Sequence, residues 1–364
     1  MRIELKQVLF PQQKSKIKAG EGKTEGKYRF FTSSPIQSKF VDEANYDKPS
    51  LIFGTGGNAS VHYCDEPFST STDCLVMYGR SKTELETIYN YLKSNIGILE
   101  NGFKGAGLKH ISKDYILAIE IDLPSEAIQL EFLQKNRIVD ELIEAKQTQL
   151  RLNEDLVKSR FIEMFGTLSS NEYNYPMYVL KEVCRKITDG KHGGCEQEQD
   201  SGYYYVGARE IYDGEIHYDT APQITKSDFD KDYRRCNLEQ GDFVLVNTGA
   251  TIGKSAIAKH PLTEYTLLQK SVAMFKVKPE IISAVFLKYC YEANPEMYTV
   301  ESASAQPNLL LSRINSTLIY IPPIELQEQF AAFVEQIDKS KFEIQQSLEK
   351  LEILKKSLMQ QYFG

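Results

Sequence analysis

The feature that most constrains this 364-residue chain is that its end repeats its middle. A shift of 198 residues superposes 129–166 on 327–364 without a gap. Gln129 falls on Gln327, Phe132 on Phe330, Asp140 on Asp338, Gln147 on Gln345 and Leu150 on Leu348. Glu154, Leu156, Lys158 and Ser159 fall on Glu352, Leu354, Lys356 and Ser357, and both stretches end in Phe-Gly. Eleven identities over thirty-eight positions in one register favour duplication over shared helical composition.

Both copies predict long helices. Each follows a proline-marked turn, Leu123-Pro124-Ser125 and Ile321-Pro322-Pro323. Proline at a first helical turn sacrifices no intrahelical bond, Ser125 is a suitable cap, and Glu126 and Glu325 suit the positive helix end. Ile337, Ile344, Leu351 and Leu358 recur every seven residues with Leu348 on the adjoining row, as do Ile143, Leu150 and Val157. Such a stripe flanked by Glu and Lys predicts a coiled-coil seam; the alternative is an amphipathic helix on a globular core. A length of about 57 Å at 1.5 Å per residue exceeds the width of a small domain and favours the seam.

Ahead of each helix lies a globular segment, 1–123 and 167–322. The two echo one another: Leu51-Ile52-Phe53-Gly54-Thr55-Gly56-Gly57 in the first, Phe243-Val244-Leu245-Val246-Asn247-Thr248-Gly249-Ala250 in the second, with Pro67 and Pro261 following. Short β-type runs at 203–206 and 272–277 alternate with Gly/Asp/Asn turns, so each segment predicts an α+β, strand-rich core. The expected order is a globular domain at 1–124, a helix at 125–166, a second domain at 167–323 and a second helix at 324–364.

Composition excludes several classes. A 41.6 kDa chain is too long for one core of ordinary size, while 41% hydrophobic, 26% charged and 11% aromatic residues describe a folded chain. The absence of an 18-residue apolar run excludes a transmembrane helix, and the N-terminus lacks an apolar signal region. Six scattered cysteines (Cys64, Cys74, Cys184, Cys195, Cys236, Cys290) without a C-x-x-C pair point to a reducing, cytoplasmic setting. The net charge of -7 speaks against a simple nucleic-acid binder, yet it is uneven: +1 over 1–125, -2 over 126–166, -4 over 167–324 and -2 over 325–364. Residues 1–48 alone hold 10 basic and 6 acidic side chains, with Lys14, Lys16, Lys18, Lys23, Lys27 and Arg29 close together.

No motif supplies a catalytic centre. Gly249-Ala250-Thr251-Ile252-Gly253-Lys254-Ser255 has three residues between its glycines where a P-loop needs four, and Pro261 follows too soon for a helix. Thr188-Asp189-Gly190-Lys191-His192-Gly193-Gly194 is either a surface turn or a loop whose Lys191 meets phosphate while His192 or Asp189 meets a base edge. His62, His110, His192, His217 and His260 are dispersed, with no metal-ligand spacing. Asn174-Tyr175-Pro176 lacks the further residues of an amino-methyltransferase pocket, and Asp213-Gly214 between Tyr212 and Ile216 predicts a hairpin turn. Tyr203, Tyr204, Tyr205, Tyr212 and Tyr218, and the group Tyr28, Phe30 and Phe31, suit half-buried strands better than a ligand surface.

With tandem halves, proline-led helices and Thr-Gly loops, the chain resembles the specificity subunit of type I restriction–modification enzymes over essentially its whole length. The likeness is strongest in the second half. It runs from Leu180-Lys181-Glu182-Val183 and Ile187-Thr188-Asp189-Gly190-Lys191-His192 to Tyr205-Val206-Gly207-Ala208-Arg209-Glu210-Ile211 and Asp213-Gly214-Glu215-Ile216. It continues through Gly241-Asp242, the 248–254 loop, Gln306-Pro307-Asn308 and Ile321-Pro322-Pro323-Ile324-Glu325-Leu326-Gln327. The first half is a divergent sister with Thr55-Gly56-Gly57-Asn58-Ala59-Ser60, Pro67-Phe68-Ser69-Thr70 and Gly105-Ala106-Gly107-Leu108-Lys109-His110-Ile111. It lacks the Asp-Gly-x-His loop, and Ser125-Glu126 replaces the second Pro-x-Glu signature.

The resemblance implies two target-recognition domains held apart by two helices paired as an antiparallel coiled coil, each reading one half of a split double-stranded DNA target. It implies that the chain is a non-catalytic subunit without a cofactor of its own. Two methylation subunits would dock on the helices with S-adenosylmethionine, and a motor–nuclease subunit would join with ATP and Mg. The candidate DNA-contact residues are Lys191, His192, Arg209, Thr248, Thr251 and Lys254 in the second domain, and Thr55, Asn58 and His62 in the corresponding loop of the first. Two rivals are a stand-alone DNA-modifying enzyme on this scaffold and a coiled-coil adaptor that binds protein only.

Overall fold

The computed structural model describes residues 2–105, 107, 109–299 and 307–364, so Ala106, Leu108 and Gln306 of the motifs above lie outside the described residues. The chain groups into two compact units, Met1–Thr148 with Ile344–Gly364, and Gln149–Glu343. Each consists of an α+β head and portions of two long helices.

The first head contains β1 (Arg2–Glu4), β2 (Leu9–Pro11), β3 (Tyr28–Phe31), β4 (Lys39–Val41), β5 (Ser50–Gly54), β6 (Ser60–Cys64), β7 (Phe68–Thr70) and β8 (Cys74–Gly79). These are followed by α1 (Lys82–Ser94), α2 (Gly97–Glu100), α3 (Lys113–Leu117), β9 (Glu120–Asp122) and the long α4 (Glu126–Phe165). An antiparallel sheet runs in the order β2-β8-β5-β6, β3 pairs in parallel with β7, and β1 pairs with β9. β5 is buried throughout because both its faces are covered. Leu51 and Phe53 point to Leu85 and Ile88 of α1, and Ile52 points to Phe31, Tyr46 and Phe68, as the two-residue alternation of a strand requires. Ser81 caps α1 by accepting the Glu84 N–H at 3.2 Å.

The second head contains β10 (Met177–Val179), α5 (Leu180–Val183), β11 (Cys184–Asp189), β12 (Tyr204–Val206), β13 (Ile211–Tyr212), β14 (Glu215–Ile216), α6 (Lys226–Cys236), β15 (Phe243–Val246) and β16 (Ser255–Ile257). Then come β17 (Thr266–Leu268), β18 (Val272–Val277), α7 (Ala284–Ala293), α8 (Leu311–Ser316), β19 (Leu318–Tyr320) and the long α9 (Ile324–Phe363). Its plan repeats that of the first: a sheet in the order β11-β18-β15-β16, a parallel pair β12–β17, and a closing pair β10–β19. β15 is again the buried centre, with Phe243 and Leu245 on the α7 side and Val244 and Val246 against Val206 and Leu268. Asp213 and Gly214 take φ of 51° and 77° and close the predicted β13–β14 hairpin.

α4 and α9 are each 40 residues long. In the first unit Phe132 meets Phe363 edge-on at 5.1 Å, Asp140 pairs with Lys355, and Val139 and Ile143 pack on Leu358. In the second, Phe165 meets Phe330 at 5.5 Å and Glu154 meets Lys341 at 3.4 Å. Rising numbers on α4 meet falling numbers on α9 in both, so the pairing is antiparallel. The 198-residue shift carries the Phe132–Phe363 pair onto Phe330–Phe165. Gln129 and Gln327, both buried, each donate to the carbonyl of the proline five residues earlier, Pro124 and Pro322, at 2.8 Å. A polar side chain survives burial there because it closes the unpaired carbonyl ahead of the helix.

Candidate nucleic-acid interface

In the second head, the turn that joins β17 to β18 collects the candidate loops. The Lys191 N–H donates to Leu268 O at 2.7 Å, and the Lys270 N–H returns a bond to Lys191 O at 2.9 Å. Gln269 N bonds Val206 O at 2.8 Å, Ala208 N bonds Ser271 Oγ at 3.3 Å, and Asn247 N bonds Ser271 O at 3.0 Å. The 188–194 loop, the turn carrying Arg209 and the 247–254 hairpin are thereby fixed around residues 268–271. Gly190 permits this approach: a Cβ there would lie 2.1 Å from Leu268 O.

The first head repeats the scheme on different residues. Thr72 N bonds Ile17 O at 2.9 Å, Ser71 N bonds Phe31 O at 2.8 Å, and Thr55 N bonds Asp73 O at 2.9 Å. Residues 71–73, joining β7 to β8, therefore match 269–271. Ile17 stands where Lys191 stands, and Thr55 where Asn247 stands. The loop after Thr55 is anchored from behind, as Ile111 N bonds Thr55 O at 3.2 Å; Leu309 N bonds Asn247 O at 2.7 Å in the second head.

The side chains at these positions differ in how they are held. Lys191 is largely buried and reaches Asp232 at 2.9 Å and Asp228 at 3.8 Å, both on α6. The hydrogen bond to Asp232 raises its pKa above the usual ammonium value. His192 is half exposed, with Nε2 3.3 Å from Asp189 Oδ2. Arg235 ion-pairs with Asp189 and donates from Nε to the carbonyls of Asp189 (3.0 Å) and Gly190 (2.8 Å), which ties the loop to α6. Tyr205, pushed up to about 12 by burial, remains a neutral donor and bonds Gly193 O at 2.6 Å. Thr248 Oγ1 donates to Asn308 Oδ1 at 3.0 Å, Thr251 is partly buried, and Lys254 and Arg209 are exposed. In the first head Thr55 Oγ1 donates to Asp73 O at 2.9 Å, and Asn58 is exposed at the hairpin tip.

One candidate is displaced. His62 does not lie in the Thr55–Asn58 loop but within β6, opposite Ile52. The loop already closes at the Gly54–Ser60 pair, and Val61, His62 and Tyr63 continue as strand. The His62 ring bonds Ser34 O at 2.9 Å, and burial lowers its pKa. The loop at 249–254 leads into β16, not a helix, so the phosphate cradle of a P-loop has no scaffold there. Residue-type reasoning missed Lys270, exposed in the collecting turn; a polar Gln269-Lys270-Ser271 break between the apolar runs of β17 and β18 is the signal that marks it. Among the described residues no group of His, Cys, Asp or Glu could hold a metal ion, and no helix is long and apolar enough to cross a membrane.

Comparison with known proteins matches these features. A family model for the type I restriction modification DNA specificity domain covers residues 2–152 and 173–355, one match for each head with part of its helix. The crystal structure of a type I restriction-modification system S subunit from M. genitalium superposes with a TM-score of 0.63 at 17% identity, covering 100% of this chain and 96% of that one. A chain from a structure addressing complex assembly and conformational transition of the type I R-M system gives 0.59 at 14% identity, covering 100% and 97%. At these identities the two structures establish a shared fold.

Proposed function

The chain belongs to the type I restriction–modification DNA specificity family as a DNA sequence-recognition subunit, and from that premise we propose that each head reads one half of a split target. The observation that carries this reading is the collecting turn: the same main-chain bonds recur at 71–73 and 269–271 while the side chains around them differ. Similar backbones carrying different donors and acceptors suit two half-sites of unlike sequence, with phosphate contacts setting position and base-edge contacts setting identity.

The test is an exchange of residues 167–322 for the corresponding segment of another family member, followed by mapping of modified bases in DNA treated with the full complex. One half of the target changes and the other persists; a target wholly changed or wholly unchanged overturns the reading.

Docking of two methylation subunits on the helices draws support from where repeat identities survive. Gln147, Glu154, Leu156, Lys158 and Ser159 are exposed, and so are their counterparts Gln345, Glu352, Leu354, Lys356 and Ser357. Meanwhile buried Val157 corresponds to Lys355 and buried Phe161 to Met359. Buried identities such as Gln129/Gln327 and Phe132/Phe330 serve the fold, whereas identity at these exposed positions serves no packing and suits one partner bound twice. In this scheme S-adenosylmethionine, ATP and Mg belong to the methylation and motor–nuclease subunits, the present chain contributes recognition without catalysis, and the assembly works in the cytoplasm.

A further inference from the structure

The basic residues near the N-terminus have no place in the candidate loops derived above, yet the fold gives them one. Residues 12–18 run beside the collecting turn of the first head, held by Gln12 N to Val76 O at 2.8 Å and Thr72 N to Ile17 O at 2.9 Å. Along this segment exposure alternates: Lys14, Lys16 and Lys18 are exposed, while Ser15 is buried and Ile17 partly so. At about 3.3 Å per residue in extended chain, the three ammonium-bearing positions recur roughly every 6.6 Å. That spacing is of the order separating successive phosphates on one DNA strand.

Their charge is also unspent. Lys23 pairs with Asp42 and Arg29 with Glu66, but Lys14, Lys16 and Lys18 form no ion pair among the described residues. Glu21, the nearest carboxylate in sequence, accepts the backbone N–H of Lys18 at 2.7 Å. The row ends beside Thr72-Asp73, whose Asp73 carbonyl receives both the N–H and the hydroxyl of Thr55. The base-edge candidates of the first head thus begin one hydrogen-bonded turn away from the row.

We infer that Lys14, Lys16 and Lys18 form the phosphate-tracking ladder of the first head, occupying the place that the 188–192 loop occupies in the second. This rests on the heads being DNA-binding surfaces. In the second head Lys191, which stands where Ile17 stands, is already neutralised by Asp228 and Asp232.

The experiment titrates the full chain, assembled with its partner subunits, against a short duplex of arbitrary sequence over a range of salt concentrations. Each phosphate contact contributes about 0.9 to the slope of log affinity against log salt, so K14Q/K16Q/K18Q flattens the slope by about 2.7. Between 50 and 200 mM salt this amounts to about 40-fold less salt-induced weakening than in the parent. The arginine triple K14R/K16R/K18R retains the parental slope, and K82Q/K93Q on α1 leaves it unchanged. A parental slope in the glutamine triple, or equal flattening by the α1 pair, overturns the ladder while leaving the heads as DNA-binding surfaces. A parental complex whose binding shows no salt dependence overturns the reading of the heads themselves. Because the three side chains are exposed, single substitutions stepping down by about 0.9 each serve as a check that does not depend on the triple variant.

Discussion

The two heads share a main-chain scheme but treat the charge of the segment beside it differently. Around 71–73 the nearby cations Lys14, Lys16 and Lys18 are exposed and unpaired among the described residues; around 269–271 Lys191 and Arg235 are held by Asp228, Asp232 and Asp189, while Arg209, Lys254 and Lys270 stay exposed. Net charges of +1 over 1–125 and -4 over 167–324 follow the same division. The difference teaches that hydrogen bonds between backbone groups position the loops, while side-chain charge can be moved from one part of a head to another without altering that frame.

The largest expected effect tests how far the equivalence extends into the packing. Phe330 is fully buried and meets the rings of Phe161, Phe165, Tyr289 and Phe333, so Phe330→Ala costs its unit about 4 kcal/mol. Phe132, packed on Tyr362 and Phe363, costs about 3 kcal/mol on the same change. Denaturant unfolding of the two variants measures both; a larger loss at Phe132 breaks the ranking.

Next comes the close approach at the second collecting turn. Gly190→Ala places a Cβ against the Leu268 carbonyl and destabilises by about 3 kcal/mol, whereas Lys16→Ala, at the exposed residue preceding Ile17, changes the unfolding midpoint little. Similar midpoints in the two variants would show that the heads tolerate this contact alike.

A smaller effect is pH dependent. Burial raises the Asp242 carboxyl above its ordinary value, against the opposing pull of Lys276 at 2.6 Å. The ionised form therefore costs the folded state: stability falls as pH rises from the ordinary carboxylate value through the raised one, and recovers on acidification. Lys276→Met raises the pKa further and Asp242→Asn removes this contribution. Unfolding followed across the acid range distinguishes the two, and identical pH profiles count against the assignment.

The smallest effect sharpens the contrast in charge. Lys16→Gln shifts the salt slope of DNA binding by about 0.9, and Lys191→Gln by less than half of that, because Asp228 and Asp232 already neutralise it. Equal shifts would mean that the Lys191 pairs open on binding.

Much of this architecture was legible in the sequence because it is periodic or punctuated. The 198-residue register announced the helices, and the proline turns marked their starts within a residue of Glu126 and Ile324. The Asp213-Gly214 turn was readable because left-handed backbone selects those residues. The convergence of loops on 268–271 was not readable, since it is made by backbone groups far apart in sequence that leave no mark on residue type. For the same reason the ladder was visible as a charge cluster without an address, and Lys191 was visible as a cation without its acidic partners. His62 was misplaced because a Thr-Gly loop signals where a hairpin turns but not how soon its strands pair again.

The collecting turns fasten their loops mainly through peptide groups, with Thr55 N, Thr72 N, Asn247 N and Lys270 N as donors to carbonyls. A framework of this kind is indifferent to most of the alphabet written upon it. If Asn58, Arg209 and Lys254 meet DNA as proposed, substitutions there would alter what the surface says without loosening what holds it, and new recognition would arise in single steps while foldability is inherited intact.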